Sequence, residues 1–190
     1  MNTELMFSSV ETVWETPQWL FDLLDETFHF TLDPCALPQN AKCKEYFTPE
    51  DDGLSQAWAG TVFMNPPYGD AEQPCKPNCK KKKCAKRGWH TNFYIPGIAD
   101  WLEKAYLESR KDNCRVVALI PARTDTKAWH NYVMKANQII FIKGRLKFGT
   151  PNGETDPAPF PSVIAVFNND TDPLIFSTMD NKGRDKDERS

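Results

Sequence analysis

The chain has 190 residues, a length typical of one domain with a sizeable hydrophobic core. Its content of 40% hydrophobic and 12% aromatic residues excludes global disorder, and no apolar run approaches the roughly 18–20 residues of a membrane span. The 26 acidic and 23 basic residues give a net charge of -3, which by itself argues against nucleic-acid binding. The N-terminus lacks the basic segment of a signal peptide, so the six cysteines are expected to be thiols or metal ligands rather than disulfides.

The charge is not spread evenly along the chain. Residues 75–90 hold seven basic side chains and no acid, which leaves sixteen basic against 26 acidic residues in the rest of the chain. A lysine run is often only a solvated loop, but its clustering with three Cys and one His favours an element that contacts phosphates. Residues 180–190 mix both signs of charge without an apolar residue, and we expect a disordered tail there after a single domain of residues 1–179.

The predicted elements alternate between helices and strands, which is typical of an α/β fold. Thr16 and Pro17 are expected to begin the first helix, as its N-cap and its first helical residue. The elements after that helix are strands at 30–32, 46–47 and 61–64, a helix at 98–109, a strand at 116–120, a helix at 126–135, and strands at 138–142 and 162–167.

Three of these strands end in polar or rigid residues, at Asp33, Asn65 and Pro121. Proline cannot donate a hydrogen bond to a sheet, so the strands that run into it must stop. In an open α/β sheet, ligands bind beyond the carboxyl ends of the strands. We therefore expect the functional site at that edge of the sheet.

The tetrapeptide Asn65-Pro66-Pro67-Tyr68 is the most specific motif in the chain. The side-chain carbonyl of Asn65 and the main-chain carbonyl of Pro66 can accept the two N–H groups of one planar amino group. Two such acceptors draw the nitrogen lone pair out of conjugation as charge develops, which prepares the nitrogen to attack an electrophile. Pro67 helps to fix the backbone, and the ring of Tyr68 offers a face on which a base can stack. The alternative is a proline-rich turn with an incidental Tyr.

This tetrapeptide resembles the catalytic motif of the amino-methyltransferases that use S-adenosylmethionine, and the chain resembles in particular the phage-type DNA N6-adenine methyltransferases of the Dam family. The resemblance covers most of residues 10–168, and it is carried by residues 14–21, 33–36, 46–54, 65–68, 121–126 and 144–162. It implies a three-layer class I methyltransferase sheet, mostly parallel with an antiparallel last strand. It also implies methyl transfer to N6 of an adenine flipped out of double-stranded DNA, in the cytoplasm of a bacterial host and encoded by a phage or prophage.

The resemblance further implies a binding site for S-adenosylmethionine. The turn that corresponds to the methionine-binding segment consists of Asp33, Pro34, Cys35 and Ala36. Thr16 lies in the segment that closes over the methionine moiety, and Asp52 lies where an acidic residue near the adenosine is expected, with Asp51 as the rival. The chain departs from the family in one respect, because residues 33–45 contain no Gly where a Gly-rich loop is usual. Without the family, Asp33 is an ordinary residue at the end of a strand.

The basic insert that follows the tetrapeptide, residues 70–97, also contains candidate metal ligands. They are Cys75, Cys79, Cys84 and His90, and three thiols with an imidazole form a tetrahedral zinc set. Their spacing differs from a standard pair of Cys-x-x-Cys motifs, so free thiols, another metal and a disulfide remain alternatives. A metal would fold a Lys-rich knuckle beside the active site.

Basic residues of the insert and of later turns are the candidates for DNA binding. They are Lys80, Lys81, Lys82, Lys83, Arg87, Arg123 and Arg145. Contacts between lysines and phosphates position a protein on DNA without reading its sequence. Around Arg123, helix capping by Thr124 or Asp125 is an equal alternative, and for Arg145 the alternative is an exposed hairpin charge.

Two other functions remain open from the sequence. The same tetrapeptide serves methylation of RNA amino groups and of protein amides, although the Lys-rich insert and the phage-type resemblance favour DNA. A non-catalytic, zinc-containing nucleic-acid-binding module would explain the insert but would leave the motif at Asn65 without a purpose. No membrane partner is expected, and the oligomeric state is open, with a monomer favoured.

Overall fold

The computed structural model describes residues 15–149, 156–171 and 173–181. The helices in this part of the chain are α1 (Gln18–Phe28), α2 (Lys82–Arg87), α3 (Ile98–Ser109) and α4 (Lys127–Asn131), and a 3-10 turn follows at Val133–Lys135. The strands are β1 (Leu32–Asp33), β2 (Glu45–Tyr46), β3 (Gly60–Met64), β4 (Cys114–Pro121), β5 (Gln138–Lys143), β6 (Lys147–Phe148), β7 (Asp156–Pro157), β8 (Ser162–Phe167) and β9 (Ile175–Asp180). None of the helices in these ranges is long and apolar enough to cross a membrane.

Seven of these strands form one sheet in the order β2-β1-β3-β4-β8-β5-β9, and β6 pairs with β7 separately. Strands β2, β1, β3 and β4 are parallel, whereas β8 is antiparallel to both of its neighbours, β4 and β5. The expected α/β sheet, mostly parallel with a reversed strand at 162–167, is confirmed. A further strand, β9, follows β8 and runs parallel to β5.

Strand β9 changes the expectation for the end of the chain. The tail was predicted to begin at residue 180, but Asp180 is the last residue of β9 and pairs with Lys143 of β5. The strand was missed because it lies at the edge of the sheet, where Ile175 and Phe176 are both 57% exposed. Its sequence therefore lacks the alternation of apolar and polar residues that predicts a half-buried strand. The rest of the predicted tail, from residue 182 onward, lies outside the described residues.

Helices cover both faces of the sheet and make the three layers. On one face, side chains of α3 and the α4 region pack on alternate residues of β3, β4 and β8 (Trp101, Leu102, Ala105 and Trp129 on Val62, Met64, Val116, Ala118, Ile120 and Val163). On the other face, side chains of α1 pack on the intervening residues of the same three strands (Leu20, Phe21 and Leu24 on Phe63, Val117, Leu119 and Ile164). Because both faces are covered, β4 is a nearly continuous apolar run with seven of its eight residues buried.

Two helix starts differ from the sequence prediction. Helix α1 begins at Gln18 with Pro17 as its N-cap residue, so the predicted cap at Thr16 is wrong. The Thr16 hydroxyl accepts a hydrogen bond from the Asn65 side chain instead, and this tertiary contact decides where the Thr16 side chain lies. Helix α4 is capped by Thr126, whose Oγ1 accepts the Trp129 backbone N–H at 3.2 Å, rather than by Thr124 or Asp125.

The insert, residues 70–97, is closed at its base by backbone contacts. Glu72 and Ile95 exchange two hydrogen bonds between their N–H and C=O groups, at 2.9 and 3.0 Å. Gly97 is required there, because a Cβ at this position would lie 2.2 Å from the backbone nitrogen of Ala71. The Ile98 N–H then bonds to the Gly69 carbonyl at 2.9 Å, so the insert leaves and rejoins the fold at one point beside the tetrapeptide.

Candidate active site and metal centre

A cavity of about 570 Å³ lies at the carboxyl ends of the parallel strands. Every residue predicted for catalysis or cofactor binding lines it: Thr16, Asp33, Pro34, Cys35, Ala36, Asp52, Asn65, Pro66, Pro67 and Tyr68. These residues come from four separate segments, and the parallel arrangement of β1, β3 and β4 brings the segments to one edge. The ends of these strands therefore border one cavity, where the sequence predicts the functional site.

Two side chains hold the Asn65 amide. Its Nδ2 donates to Thr16 Oγ1 at 3.0 Å, and its Oδ1 accepts from the Tyr68 hydroxyl at 2.5 Å. An amide oxygen has two lone pairs and can accept two hydrogen bonds. The amide is thus fixed in place at the cavity wall.

Tyr68 is nearly buried, with 6% of its surface exposed. Burial raises the pKa of its hydroxyl well above the usual value, so the group stays protonated and can donate to Asn65. The Leu119 carbonyl, 3.3 Å from the same hydroxyl, provides a second acceptor. The Tyr68 ring packs nearly perpendicular to the rings of Phe148 and Phe160, with centroid distances of 6.3 and 5.4 Å.

Asp33 is a buried carboxylate at the end of β1, with 5% of its surface exposed. Its two oxygens accept backbone N–H groups, from Lys42 at 3.2 Å and from Cys35 at 3.4 Å. Burial raises its pKa from 3.8 to about 6, and the two N–H donors limit that rise. A buried carboxylate compensated in this way favours a cationic ligand in the cavity.

The Cys35 thiol, next in this turn, is a neutral group. Burial and the neighbouring Asp33 raise its pKa well above the usual value, although the Asn65 backbone N–H donates to the sulfur. A thiol with a raised pKa is a poor nucleophile, because the thiolate is the reactive form. Cys35 is therefore a wall residue of the cavity.

The structure distinguishes Asp52 from Asp51. Asp51 does not line the cavity, and its Oδ2 accepts both the backbone N–H and the hydroxyl of Thr48 at 2.8 Å, which lowers the pKa of this carboxyl. Asp52 lines the cavity and adopts the left-handed region with φ 52°, which Asp tolerates. The next residue, Gly53, packs on Pro34, since a Cβ there would lie 2.0 Å from the Pro34 carbonyl oxygen. The two predicted cofactor segments are therefore in direct contact.

The four predicted metal ligands also come together. The ligand atoms of Cys75, Cys79, Cys84 and His90 all lie within 4.8 Å of one another. The Cys84 sulfur lies 3.5 Å from that of Cys75 and 3.8 Å from that of Cys79, and a tetrahedral zinc with Zn–S bonds of about 2.3 Å needs sulfurs roughly 3.8 Å apart. The Lys81 backbone N–H donates to Cys79 and lowers the pKa of that thiol to about 7, which favours the thiolate. The donor set fits a zinc ion.

Glu72 joins the insert to the cavity wall. Its carboxylate lies 2.5 Å from Lys83 Nζ and 3.0 Å from Arg87 Nη1, and these ion pairs lower its pKa despite partial burial. The Arg87 guanidinium also stacks on the Trp89 ring, 3.7 Å from the ring centroid, and its side chain is only 6% exposed. The sequence analysis expected Arg87 to contact DNA, and in the structure its side chain packs inside the insert.

The other predicted DNA-binding residues lie at the surface in three places. Lys80, Lys81 and Lys82 are exposed on the insert, at and before the start of α2. Lys83 and Arg123 line the cavity, and Arg123 Nη1 donates to the Tyr68 backbone carbonyl at 3.0 Å. Arg145 is exposed in the turn after β5 and does not line the cavity.

Several residues of the cavity wall were not assigned from the sequence. Phe160 and Trp89 add aromatic surface, and Glu72 adds a carboxylate. Phe160 lies in a segment that carried the family resemblance, and Trp89 precedes a predicted metal ligand. These sequence contexts could have indicated the two aromatic residues, whereas their residue type could not, because an aromatic residue is equally typical of the hydrophobic core.

Comparison with known proteins gives both sequence and fold relatives. A family model described as "DNA N-6-adenine-methyltransferase (Dam)" matches residues 4–189. The DNA N-6-adenine-methyltransferase of Haemophilus phage HP1 (strain HP1c1) is 28% identical over 165 residues, which cover 84% of this chain and 80% of that protein. The protein YfdM of Escherichia coli (strain K12) is 38% identical over 63 residues, covering 29% of this chain and 69% of the relative.

Among solved structures, the chain is similar to the methyltransferase subunit of a type I restriction-modification system from Streptococcus thermophilus. The match covers 94% of this chain at 15% identity, with a TM-score of 0.51. The chain spans half the length of that structure. This likeness shows that the two share a fold.

Replacing Asp33 by Asn should raise the free energy of unfolding of the ligand-free protein by about 1–2 kcal/mol near pH 7.5. Because the pKa of Asp33 is about 6 in the folded chain against 3.8 as the ordinary value, the ionised carboxylate costs stability above pH 6. That cost shrinks as the pH falls from 6 toward 3.8. Urea denaturation at pH 7.5 and 4.5 measures the difference, with Asp51→Asn as the control that removes an exposed, bonded carboxylate. An equal gain at both pH values would contradict the raised pKa.

Proposed function

The chain belongs to the DNA N-6-adenine-methyltransferase (Dam) family, as its motifs predicted, and we propose that its tetrapeptide Asn65-Pro66-Pro67-Tyr68 performs methyl transfer to N6 of adenine in double-stranded DNA. The protein is thus a DNA adenine N6-methyltransferase that uses S-adenosylmethionine. One observation carries the assignment of the site. The Asn65 amide oxygen is fixed by neighbouring side chains at the wall of a cavity that also holds two candidate cofactor carboxylates, Asp33 and Asp52.

The target adenine must leave the base stack before its amino group can reach Asn65, at a cost of a few kcal/mol. In the cavity, Asn65 Oδ1 and the Pro66 carbonyl each accept one N–H of that amino group. The two bonds fix the nitrogen and stabilise the positive charge that develops on it. The bound cofactor supplies an electrophilic methyl group, and the methylated nitrogen then releases one proton to solvent. No cysteine nucleophile is needed, in accord with the neutral thiol of Cys35.

We propose separate roles for the hydroxyl and the ring of Tyr68. In the structure the hydroxyl donates to the Asn65 oxygen that is proposed to accept the adenine amino group. The Leu119 carbonyl at 3.3 Å offers the hydroxyl another acceptor, so Tyr68 can release Asn65 without leaving a buried donor unsatisfied. The ring of Tyr68, together with that of Phe160, is proposed as the aromatic surface for the flipped base.

The residues of the cavity fit S-adenosylmethionine, which carries an ammonium and a sulfonium charge. Asp33 provides a buried negative charge for its cationic end, and Thr16, Pro34, Cys35 and Ala36 complete that part of the wall. Asp52 presents a carboxylate at the same cavity, and such groups bind ribose hydroxyls in nucleotide sites. A volume of about 570 Å³ lies within the range of natural ligand pockets.

The insert is proposed to be a zinc knuckle that binds the DNA backbone. Structural zinc sites use four protein ligands and leave no open position, as the three thiols and His90 would do. The exposed Lys80, Lys81 and Lys82 are then held on a folded surface beside the cavity and are proposed to contact phosphates. Arg123 and Arg145 at the same edge of the sheet are the further candidates for DNA contact. Methylation is proposed to take place in the cytoplasm of the bacterial host, where phage DNA is found.

An Asn65→Ala variant should lose methyl transfer by at least about 10³-fold, because the acceptor that orients the amino group is gone. Its affinity for S-adenosylmethionine should change little, since the carboxylates at Asp33 and Asp52 remain. Transfer from methyl-labelled cofactor to unmethylated plasmid DNA measures the first effect, and titration calorimetry measures the second. The matched control is Asn169→Ala, an exposed amide at the opposite edge of the sheet. Substantial activity in Asn65→Ala would contradict the catalytic assignment.

The purified protein should contain about one zinc per chain, and Cys79→Ser should lose most of it. Elemental analysis by mass spectrometry measures the metal content. Cys43→Ser, which changes a thiol outside the cluster, should retain the metal and serves as the control. A protein that is fully active without metal would contradict the zinc knuckle while leaving the methyltransferase assignment intact.

Replacing Lys80, Lys81 and Lys82 together by Gln should weaken DNA binding most strongly at low salt. Each lost phosphate contact lowers the slope of log K against log salt concentration by about 0.9, so a total change of about 2–3 is expected. Fluorescence anisotropy with an unmethylated duplex over a series of KCl concentrations gives the slope. The control is Arg115→Gln, because Arg115 is exposed at the amino end of β4. An unchanged slope would mean that the lysine run is a solvated loop.

A further inference from the structure

We propose that Lys42 binds the carboxylate at the amino-acid end of S-adenosylmethionine, and that the protein thereby selects a cofactor that carries this group. The proposal rests on the proposed function and adds a residue to the cofactor site described above. It follows from the place of Lys42 in the cavity wall next to Asp33, where the cationic end of the cofactor is proposed to bind.

The amino-acid end of this cofactor carries an ammonium and a carboxylate on one carbon atom. Asp33 offers a negative charge to the ammonium, but the same charge repels a carboxylate beside it. A second group must compensate the carboxylate, since an unpaired charge in a partly enclosed cavity is costly. That group is either a set of backbone N–H donors or a cationic side chain.

Most backbone N–H groups of the turn after β1 already donate within the protein. In residues 34–42, six such bonds have lengths between 2.8 and 3.4 Å, and their donors are Cys35, Ala36, Leu37, Asn40, Ala41 and Lys42. Pro34 and Pro38 have no N–H group. A cationic side chain is therefore the donor that this turn offers to an anion.

Among the described residues, three with cationic side chains line the cavity: Lys42, Lys83 and Arg123. Lys83 forms an ion pair with Glu72 of the insert, and Arg123 bonds to the backbone of the tetrapeptide. Lys42 lies next to Asp33, because its N–H donates to Asp33 Oδ2 at 3.2 Å. Its positive charge also lowers the pKa of that carboxyl against the effect of burial. Lys42 is thus the cation beside the group that is proposed to bind the ammonium.

The Lys42 ammonium is held in place by an amide. Its Nζ donates to Gln18 Oε1 at 2.8 Å, and Gln18 Nε2 in turn donates to Asp22 Oδ1 at 2.7 Å. Gln18 is the first residue of α1 and lies two positions after Thr16 of the cavity wall. An ammonium has three N–H donors, so Lys42 can keep its bond to Gln18 and bind a carboxylate with another. The bond to Gln18 also restrains a flexible side chain, which lowers the entropy lost on ligand binding.

The test compares two ligands by titration calorimetry on the full chain. S-adenosylmethionine and its decarboxylated form share the ammonium and the sulfonium and differ in the carboxylate. We expect the native chain to bind S-adenosylmethionine about tenfold more tightly, and Lys42→Met to bind the two ligands with dissociation constants within about twofold of each other. Lys42→Arg retains the positive charge and should keep most of the preference. The control is Lys44→Met, which should behave as the native chain, because Lys44 is exposed and does not line the cavity.

Three outcomes would overturn the role of Lys42. A folded Lys42→Met protein that keeps the tenfold preference is one, and an equal loss of affinity for both ligands is another, because Lys42 would then act only through the charge of Asp33. The third is a native chain that binds both ligands equally well, which needs no variant and so does not depend on the folding of Lys42→Met. A native chain that binds S-adenosylmethionine but transfers no methyl group to DNA overturns the proposed function instead.

Discussion

The burial of the sheet on both faces is the constraint from which the active site follows. A strand covered on both sides has no place for a polar side chain along its length, since an unpaired polar group in the interior costs about 1–3 kcal/mol. Polar residues therefore accumulate where the parallel strands β1, β3 and β4 end, at Asp33, Asn65 and Arg123. Because those ends lie at one edge, three segments that are distant in the sequence form one cavity.

Charge is also distributed unevenly between two parts of the chain. The chain apart from residues 75–90 carries an excess of acidic residues, and residues 75–90 carry seven basic residues without an acid, so the net charge of -3 describes neither part. In the proposed contact with DNA, the acidic remainder of the chain would be repelled by the DNA backbone and residues 75–90 would be attracted to it, which would orient the approach as well as strengthen it. Within the insert, Glu72 forms ion pairs with Lys83 and Arg87, whereas Lys80, Lys81 and Lys82 are exposed.

The sequence predicted the features that depend on local pattern and missed those that depend on contacts between distant residues. Buried strands such as β3 and β4 are apolar runs stopped by proline, so their positions followed from the sequence. Thr16 was predicted to cap a helix because Thr-Pro is typical of a helix start. In the structure its hydroxyl binds the distant Asn65 side chain instead. Helix α2 was missed because its six residues have no apolar periodicity, and the contacts of Arg87 with Glu72 and Trp89 were not predicted because nothing in the sequence marks these partners.

The zinc proposed for the insert has a structural reason, because methyl transfer itself does not need a metal. Segments shorter than about 40 residues seldom bury enough apolar surface to fold without a metal or disulfides, and residues 70–97 are mostly polar. The two ends of this segment are tied to each other through Glu72 and Ile95, and to the chain after Tyr68 through the bond from Ile98 to Gly69. An ion bound by the insert would therefore also restrain the backbone that follows the tetrapeptide. In this way the proposed zinc knuckle would support both the lysines proposed to contact DNA and the rigidity of the proposed acceptor pair at Asn65 and Pro66.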